Sequence, residues 1–244
     1  MQQGKVNIPG LLISLCLVAG VAYLRLQGSS GEAGNPPRNR DGAAPAVASA
    51  PAGAGVSAAT AQYDYFLLSL SWSPSYCLVH DDDRAQCSKG YGFVLHGLWP
   101  QNAEGGYPEN CARDATLSSA AQSRGAGLYP SPRLMQHEWQ RHGTCSGLDA
   151  LGYFDTADRA LAAVKIPVAF EAPRNNQLMD ARDIVAAFRA VNPGIPDNGI
   201  VVACNRTELS EVRVCLDKSL QPIECGRGVR NSCPYLPLRI PAAR

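Results

Sequence analysis

Phe93-Val94-Leu95-His96-Gly97-Leu98-Trp99-Pro100-Gln101 and His137-Glu138-Trp139-Gln140-Arg141-His142-Gly143-Thr144-Cys145 hold three of the four histidines in the chain. The first segment begins as an apolar, aromatic strand over residues 92–95 and ends at His96. The second reads as a helix over residues 133–142, with Pro132 in its first turn, Ser131 as a cap and Gly143 as a stop. On a helical wheel with His137 at zero, Arg141 falls near ~40°, Glu138 near ~100° and His142 near ~140°. Four polar side chains therefore share one face. Met135 near ~160° and Trp139 near ~200° flank and back it.

Such a set suits proton transfer. Imidazole titrates near ~6.5, so one histidine can remove a proton while another supplies one. An arginine and a carboxylic group beside them can stabilise a phosphorane. These parts fit cleavage of RNA, where the 2′-OH is an internal nucleophile and neither a metal nor a covalent enzyme intermediate is needed. Two rival readings fail on spacing. A zinc-protease helix needs its histidines four apart, whereas His137 and His142 are five apart and diverge by ~140°. Gly143-Thr144-Cys145-Ser146-Gly147 mimics a nucleophile elbow, but an elbow joins a strand to a helix and here a helix comes first.

Outward from these segments, Tyr65-Phe66-Leu67-Leu68-Ser69-Leu70-Ser71-Trp72 reads as a strand, as do residues 199–204 and 211–217. Residues 154–164 and 181–191 read as helices, the second closed by Asn192-Pro193-Gly194. Strands and helices alternate without regular βαβ repeats. The expected fold is α+β, with a central, mostly antiparallel sheet flanked by helices.

The N-terminal part differs in kind. Residues 8–24 carry no charge and are flanked by Lys5 and Arg25, so residues 1–27 read as a signal peptide or signal anchor. Of residues 28–61, 25 are Gly, Ala, Pro or Ser and none is aromatic, so residues 28–62 read as a flexible tether. Residues 63–244 form the expected catalytic domain and hold 8 of the 9 cysteines, Cys16 lying in the apolar run. Eight cysteines in an exported domain read as four disulfides, and no C-x-x-C pair suggests a metal. His80 beside Asp81-Asp82-Asp83 reads as part of a solvated acidic turn. A net charge of +1 excludes a protein that coats nucleic acid by long-range attraction.

His96-Gly97-Leu98-Trp99-Pro100 and His137-Glu138-Trp139-x-x-His142-Gly143-Thr144-Cys145 resemble the two active-site signatures of the ribonuclease T2 family. The resemblance extends to Leu70-Ser71-Trp72-Ser73-Pro74, Cys204-Asn205-Arg206-Thr207-Glu208-Leu209 and Val214-Cys215-Leu216-Asp217, and covers residues 63–233. It implies that His142 is the general base on the 2′-OH and His96 the general acid. His137 would bind phosphate and Glu138 would stabilise the pentavalent transition state. Trp99 would line the site and stack a base, and Tyr107 resembles a further stacking position. Arg141 stands where the family commonly has Lys, keeping the charge but presenting a planar fork. Gln101, assigned to substrate binding, stands where some members carry an acid that selects adenine, so adenine preference is not implied.

The resemblance also selects among about 105 pairings of eight cysteines. It implies Cys111–Cys145, which clamps the two motifs together, and Cys77–Cys87, Cys204–Cys233 and Cys215–Cys225. The expected protein is an exported endoribonuclease, periplasmic or secreted. It cleaves single-stranded RNA with low base specificity through a 2′,3′-cyclic phosphate. It works as a monomer without metal or cofactor, touching a membrane only through an uncleaved N-terminal segment. The alternative is an inactive RNA-binding or signalling protein on the same fold, which the intact trio His96, His137 and His142 opposes.

Overall fold

Tyr65–Trp72 (β1) lies inside a six-stranded sheet, hydrogen-bonded on one side to Phe93–Gln101 (β2) and on the other to Glu208–Leu216 (β5). The computed structural model describes residues 62–243 apart from Ala172 and Tyr235. The apolar run with Cys16, and the tether before Gln62, lie outside the described residues. After β1 come the short helices Ser73–Cys77 (α1) and Arg84–Cys87 (α2). Ser119–Ala126 (α3), Pro132–Arg141 (α4) and Ala150–Ala163 (α5) follow β2. Gln177–Met179 (β3), Ala181–Val191 (α6), Ile200–Asn205 (β4), β5 and Leu238–Ile240 (β6) complete the order. The sheet runs β2-β1-β5-β6-β3, with β4 paired to β5. Every pairing is antiparallel except the single parallel step from β5 to β6.

Side chains alternate across a strand, which divides the sheet into two unlike faces. Phe66, Leu68, Leu70 and Trp72 of β1 join Val212, Val214 and Leu216 of β5 on the face carrying the main core. Met135 and Trp139 of α4, Tyr153 and Phe154 of α5, and Ile184 and Phe188 of α6 belong to that core. The opposite face buries a smaller cluster of Tyr65, Leu67 and Cys215, against which Trp99, Ile223, Cys225 and Val229 pack. Glu211 and Arg213 share that second face, because they alternate with Val212 and Val214 along β5.

Four disulfides tie the domain, joining the four pairs that the resemblance implies: Cys77–Cys87, Cys111–Cys145, Cys204–Cys233 and Cys215–Cys225. The first staples α1 to α2, two helices too short to persist alone.

Several boundaries differ from the sequence expectations. β2 does not end at His96 but runs on through Gly97 and Pro100. Pro100 is tolerated because β2 is an edge strand, where the missing N–H costs no ladder bond. The register slips between Ser69 and Leu70: Ser69 faces Gly97 and Leu70 faces Leu95, leaving His96 as the extra residue of a bulge. α5 starts at Ala150 rather than 154, because the Asp149 carboxylate accepts from Gly152 N at 2.7 Å. α4 starts on its expected cap, Ser131, which accepts from Leu134 N at 3.3 Å, but stops at Arg141. His142 is its C-cap, and Gly143–Cys145 continues as a 3₁₀ turn. β4 and β5 are displaced from the expected 199–204 and 211–217 by one to three residues, and α1, α2, α3, β3 and β6 were not foreseen.

Candidate active site

The bulge turns His96 toward β5, where its Nδ1 is hydrogen-bonded to Glu211 Oε1. The other Glu211 oxygen accepts from Arg213 Nε at 2.7 Å and Nη2 at 2.6 Å. Burial alone would raise the Glu211 pKa, but bonding to His96 and Arg213 overrides it and holds the carboxyl at about 2. Burial also opposes a charged His96. Glu211 and Glu138 outweigh burial and the repulsion of Arg213, and hold the imidazole above its ordinary value.

Glu138 projects from α4 and is 1 % exposed. Its Oε2 accepts from Trp99 Nε1 at 2.6 Å, and its Oε1 lies 3.6 Å from His96 Nε2. Desolvation dominates this carboxyl and pushes it up to about 7, against the downward pull of His96 and Trp99. Gly97 makes the contact possible, since a Cβ there would collide with Glu138 Oε2 and Trp99 Nε1.

Trp99 lies beside both His96 and His142. Its ring centroid is 5.1 Å from His96 and 5.2 Å from His142, with the Arg213 guanidinium 5.2 Å above it. His142 is buried, and its Nδ1 has no hydrogen-bond partner among the described residues. Desolvation, reinforced by the charges of Arg141, His137 and His96, lowers its pKa to about 3. His142 is therefore neutral where His96 is charged, the complementary pair that acid–base catalysis requires.

The remaining expected residues are placed unevenly. His137 is exposed on α4 and faces a cavity of about 570 Å³ with Arg133, Leu134 and Tyr76. Its pKa is lowered by partial desolvation against the neighbouring side chains and by the charges of Arg141, His96 and Arg133. Arg141 bonds Glu109 at 2.6 Å and donates to Tyr107 Oη at 3.4 Å, while Tyr107, 45 % exposed, lies 5.8 Å from His142. Tyr107 thus presents an open aromatic face. Trp99 does so less, being covered by Arg213 and His142 and bonded to Glu138. Gln101 is a correction: it is buried and its amide donates to Pro100 O at 3.0 Å, so it is not brought to the site. It shares the face of Trp99, but at that end of β2 the segment held by Cys215–Cys225 covers the sheet.

The sequence motifs do not single out Glu211 and Arg213. Their signal is an acid and a base alternating with apolar residues along a strand, a pattern that puts both on one face. Beyond His96 a cavity of about 240 Å³ is lined by Glu211, Ser71, Tyr76, Ser131 and Leu134. His80 stacks on Tyr76 at 4.2 Å with its Nδ1 on Tyr76 O. Among the described residues no group of three or more His, Cys, Asp or Glu is arranged to hold a metal ion. Cys145, the centre of the elbow-like sequence, is in a disulfide.

A sequence model of the Ribonuclease T2 family matches residues 63–225. A ribonuclease of Aeromonas hydrophila is 54 % identical over 87 residues, 36 % of this chain and 40 % of the relative. A probable ribonuclease of Haemophilus influenzae is 29 % identical over 183 residues, 68 % of this chain and 62 % of the relative. The chain thus spans less than two thirds of the length of either. The crystal structure of RNase NT in complex with 5′-AMP superposes with a TM-score of 0.56 at 26 % identity, covering 74 % of this chain and 99 % of that one.

Proposed function

The chain belongs to the ribonuclease T2 family, and from that premise we propose that it is an endoribonuclease acting on single-stranded RNA. His142, kept neutral by burial, removes the 2′-OH proton. The 2′ oxygen bonds to the adjacent phosphorus, and the bond from phosphorus to the 5′ oxygen breaks. His96 delivers the proton that the departing 5′ oxygen needs. The products are a 2′,3′-cyclic phosphate and a 5′-OH end. Both proton carriers are side chains, so the reaction runs without a metal.

The observation that carries this reading is the placing of two unlike imidazoles beside Trp99: His96, bonded to Glu211, and His142, buried with no hydrogen-bond partner on Nδ1 among the described residues. Glu138, with His137 at the rim, supplies polar contact to the phosphorane. The leaving nucleoside sits on the side of its acid, where the cavity beyond His96 has room for it. The upstream base stacks on Tyr107, and stacking tolerates any base, so specificity is low. Four disulfides support an oxidising compartment, periplasmic or extracellular. In this arrangement residues 1–27 direct export, residues 28–62 are a tether, and residues 63–244 are the catalytic unit.

Incubation of the purified protein with RNA in excess EDTA tests the reading. It expects cyclic-phosphate ends, and their disappearance in His142→Ala. Intact RNA, or cleavage only after a metal is added, would overturn it.

A further inference from the structure

We propose that Glu211 is a positioning residue for this reaction: its carboxylate takes the Nδ1 proton of His96 and so turns Nε2 to the substrate, while Arg213 holds Glu211 in place. The inference rests on the reading of His96 as general acid.

Glu211 sits on β5, a strand paired on both sides, and is only 6 % exposed. A carboxylate gripped by a two-point guanidinium contact is ionised, and an ionised carboxylate can only accept. The hydrogen between Glu211 Oε1 and His96 Nδ1 therefore belongs to the imidazole. Which ring nitrogen is left to exchange a proton with substrate follows from that bond. It is Nε2, whose nearest acidic neighbour, Glu138 Oε1, lies at 3.6 Å, beyond hydrogen-bonding reach.

The charges around His96 come from two elements. Glu211 and Arg213 face it from β5 and Glu138 from α4, with the imidazoles of His137 on α4 and His142 at its C-cap coupled to it through charge, while its own strand offers only the uncharged ring of Trp99. Of the two carboxyls, Glu211 is the one kept fully ionised, since Glu138 is pushed up to about 7. Arg213 bears directly on His96 as a repulsive charge, so its favourable contribution passes through Glu211. The contacts close into a ring: His96 to Glu211, Glu211 to Arg213, Arg213 over Trp99, Trp99 to Glu138, and Glu138 beside His96. General acid catalysis contributes about 10²–10⁴-fold, and Glu211 governs the part that depends on proton placement and charge.

The test compares wild type with Glu211→Gln on two substrates. One is a dinucleotide with an ordinary alkoxide leaving group. The other is a uridine 3′-p-nitrophenyl phosphate, whose phenolate departs without protonation. The expectation is a loss of about 10- to 100-fold on the dinucleotide at neutral pH, a much smaller loss on the aryl ester, and an alkaline limb of kcat lowered by about one pH unit or more. Equal losses on both substrates, or an unmoved limb, would mean that Glu211 only supports the fold. A second measurement needs neither the variant nor activity. In nitrogen-15 spectra of the full-length wild type, His96 Nδ1 should stay protonated through the titration while Nε2 loses its proton. A neutral His96 bearing its proton on Nε2 overturns the proposal. If wild type cleaves neither substrate, the ribonuclease reading fails, and the spectra still decide whether Glu211 holds His96.

Discussion

The indole Nε1–H of Trp99 donates to Glu138 Oε2 at 2.6 Å across the space that a side chain at position 97 would fill. This bond joins the strand motif to the helix motif. It also gives a buried carboxyl one of the few partners that offset its desolvation. Gly97→Ala should therefore force Trp99 and Glu138 apart. Overpacking of this kind costs about 1–3 kcal/mol, which a thermal melt would register, and cleavage should fall at least about tenfold. An alanine variant with wild-type stability and rate would mean that the contact is dispensable.

The pH profile of kcat/KM should be broad. The base must be neutral and the acid charged in the free enzyme. His142 stays neutral down to about 3, and His96 stays charged above the ordinary histidine range. Activity should persist at about pH 4.5, where a free imidazole is about 99 % protonated. An acid limb near pH 6.5 would show that His142 is not shielded or is not the base.

The site was only partly legible in the sequence. α4 could be read because Ser131 and Pro132 are local signals that act within one turn. His96, Trp99, Glu138 and His142 could be named because two short motifs carry them. The rest depended on the sheet. Gly97 and Pro100 look like strand breakers, yet β2 passes through both: one residue is required by Glu138 and the other is excused by an edge. Glu211 lies 115 residues from His96, and only the β1–β5 and β1–β2 registers bring them together. Gln101 failed for the converse reason, since its cover comes from a segment more than a hundred residues later.

Glu138→Gln should alter stability in a pH-dependent way. The folded carboxyl titrates at about 7, above its ordinary value of 4.5. A raised carboxyl holds its proton in the folded state, so its contribution is fully present below pH 4.5 and is lost as pH rises toward 7. The glutamine variant has no such loss. Relative to wild type it should gain stability across that window, by at most about 3 kcal/mol. Parallel melting curves from pH 4 to 8 would show that the Glu138 carboxyl is not perturbed by folding.

Removing the Cys111–Cys145 bond should cost more than removing Cys77–Cys87 or Cys215–Cys225. It closes a separation of 34 residues, whereas Cys77–Cys87 and Cys215–Cys225 each close 10. Chain entropy assigns about 4 kcal/mol to the longer loop and about 1 kcal/mol less to each shorter one. Cys111→Ser with Cys145→Ser should also loosen Tyr107 and Asn110 relative to α4, because Asn110 N bonds Arg141 O at 2.9 Å beside the bridge. Denaturant unfolding of the double variants would rank the bridges, and an equal ranking would contradict the loop argument.

Arg141 should act on binding more than on chemistry. Its guanidinium reaches outward to Glu109 at 2.6 Å and Tyr107 Oη at 3.4 Å, so it braces the open aromatic face. Lysine keeps the charge that repels a proton from His142, but its ammonium ends a shorter stem and falls short of the Nη2 position that serves both partners. Arg141→Lys should therefore raise KM a few-fold and leave kcat nearly unchanged. Tyr107→Ala removes the platform itself. Stacking is worth about 1–3 kcal/mol per base, so its KM should rise about 5- to 150-fold with little change in the acid limb. Steady-state kinetics on one dinucleotide separates the alternatives. A fall in kcat at constant KM for Arg141→Lys would place the guanidinium on the phosphorane, not on the support of the base.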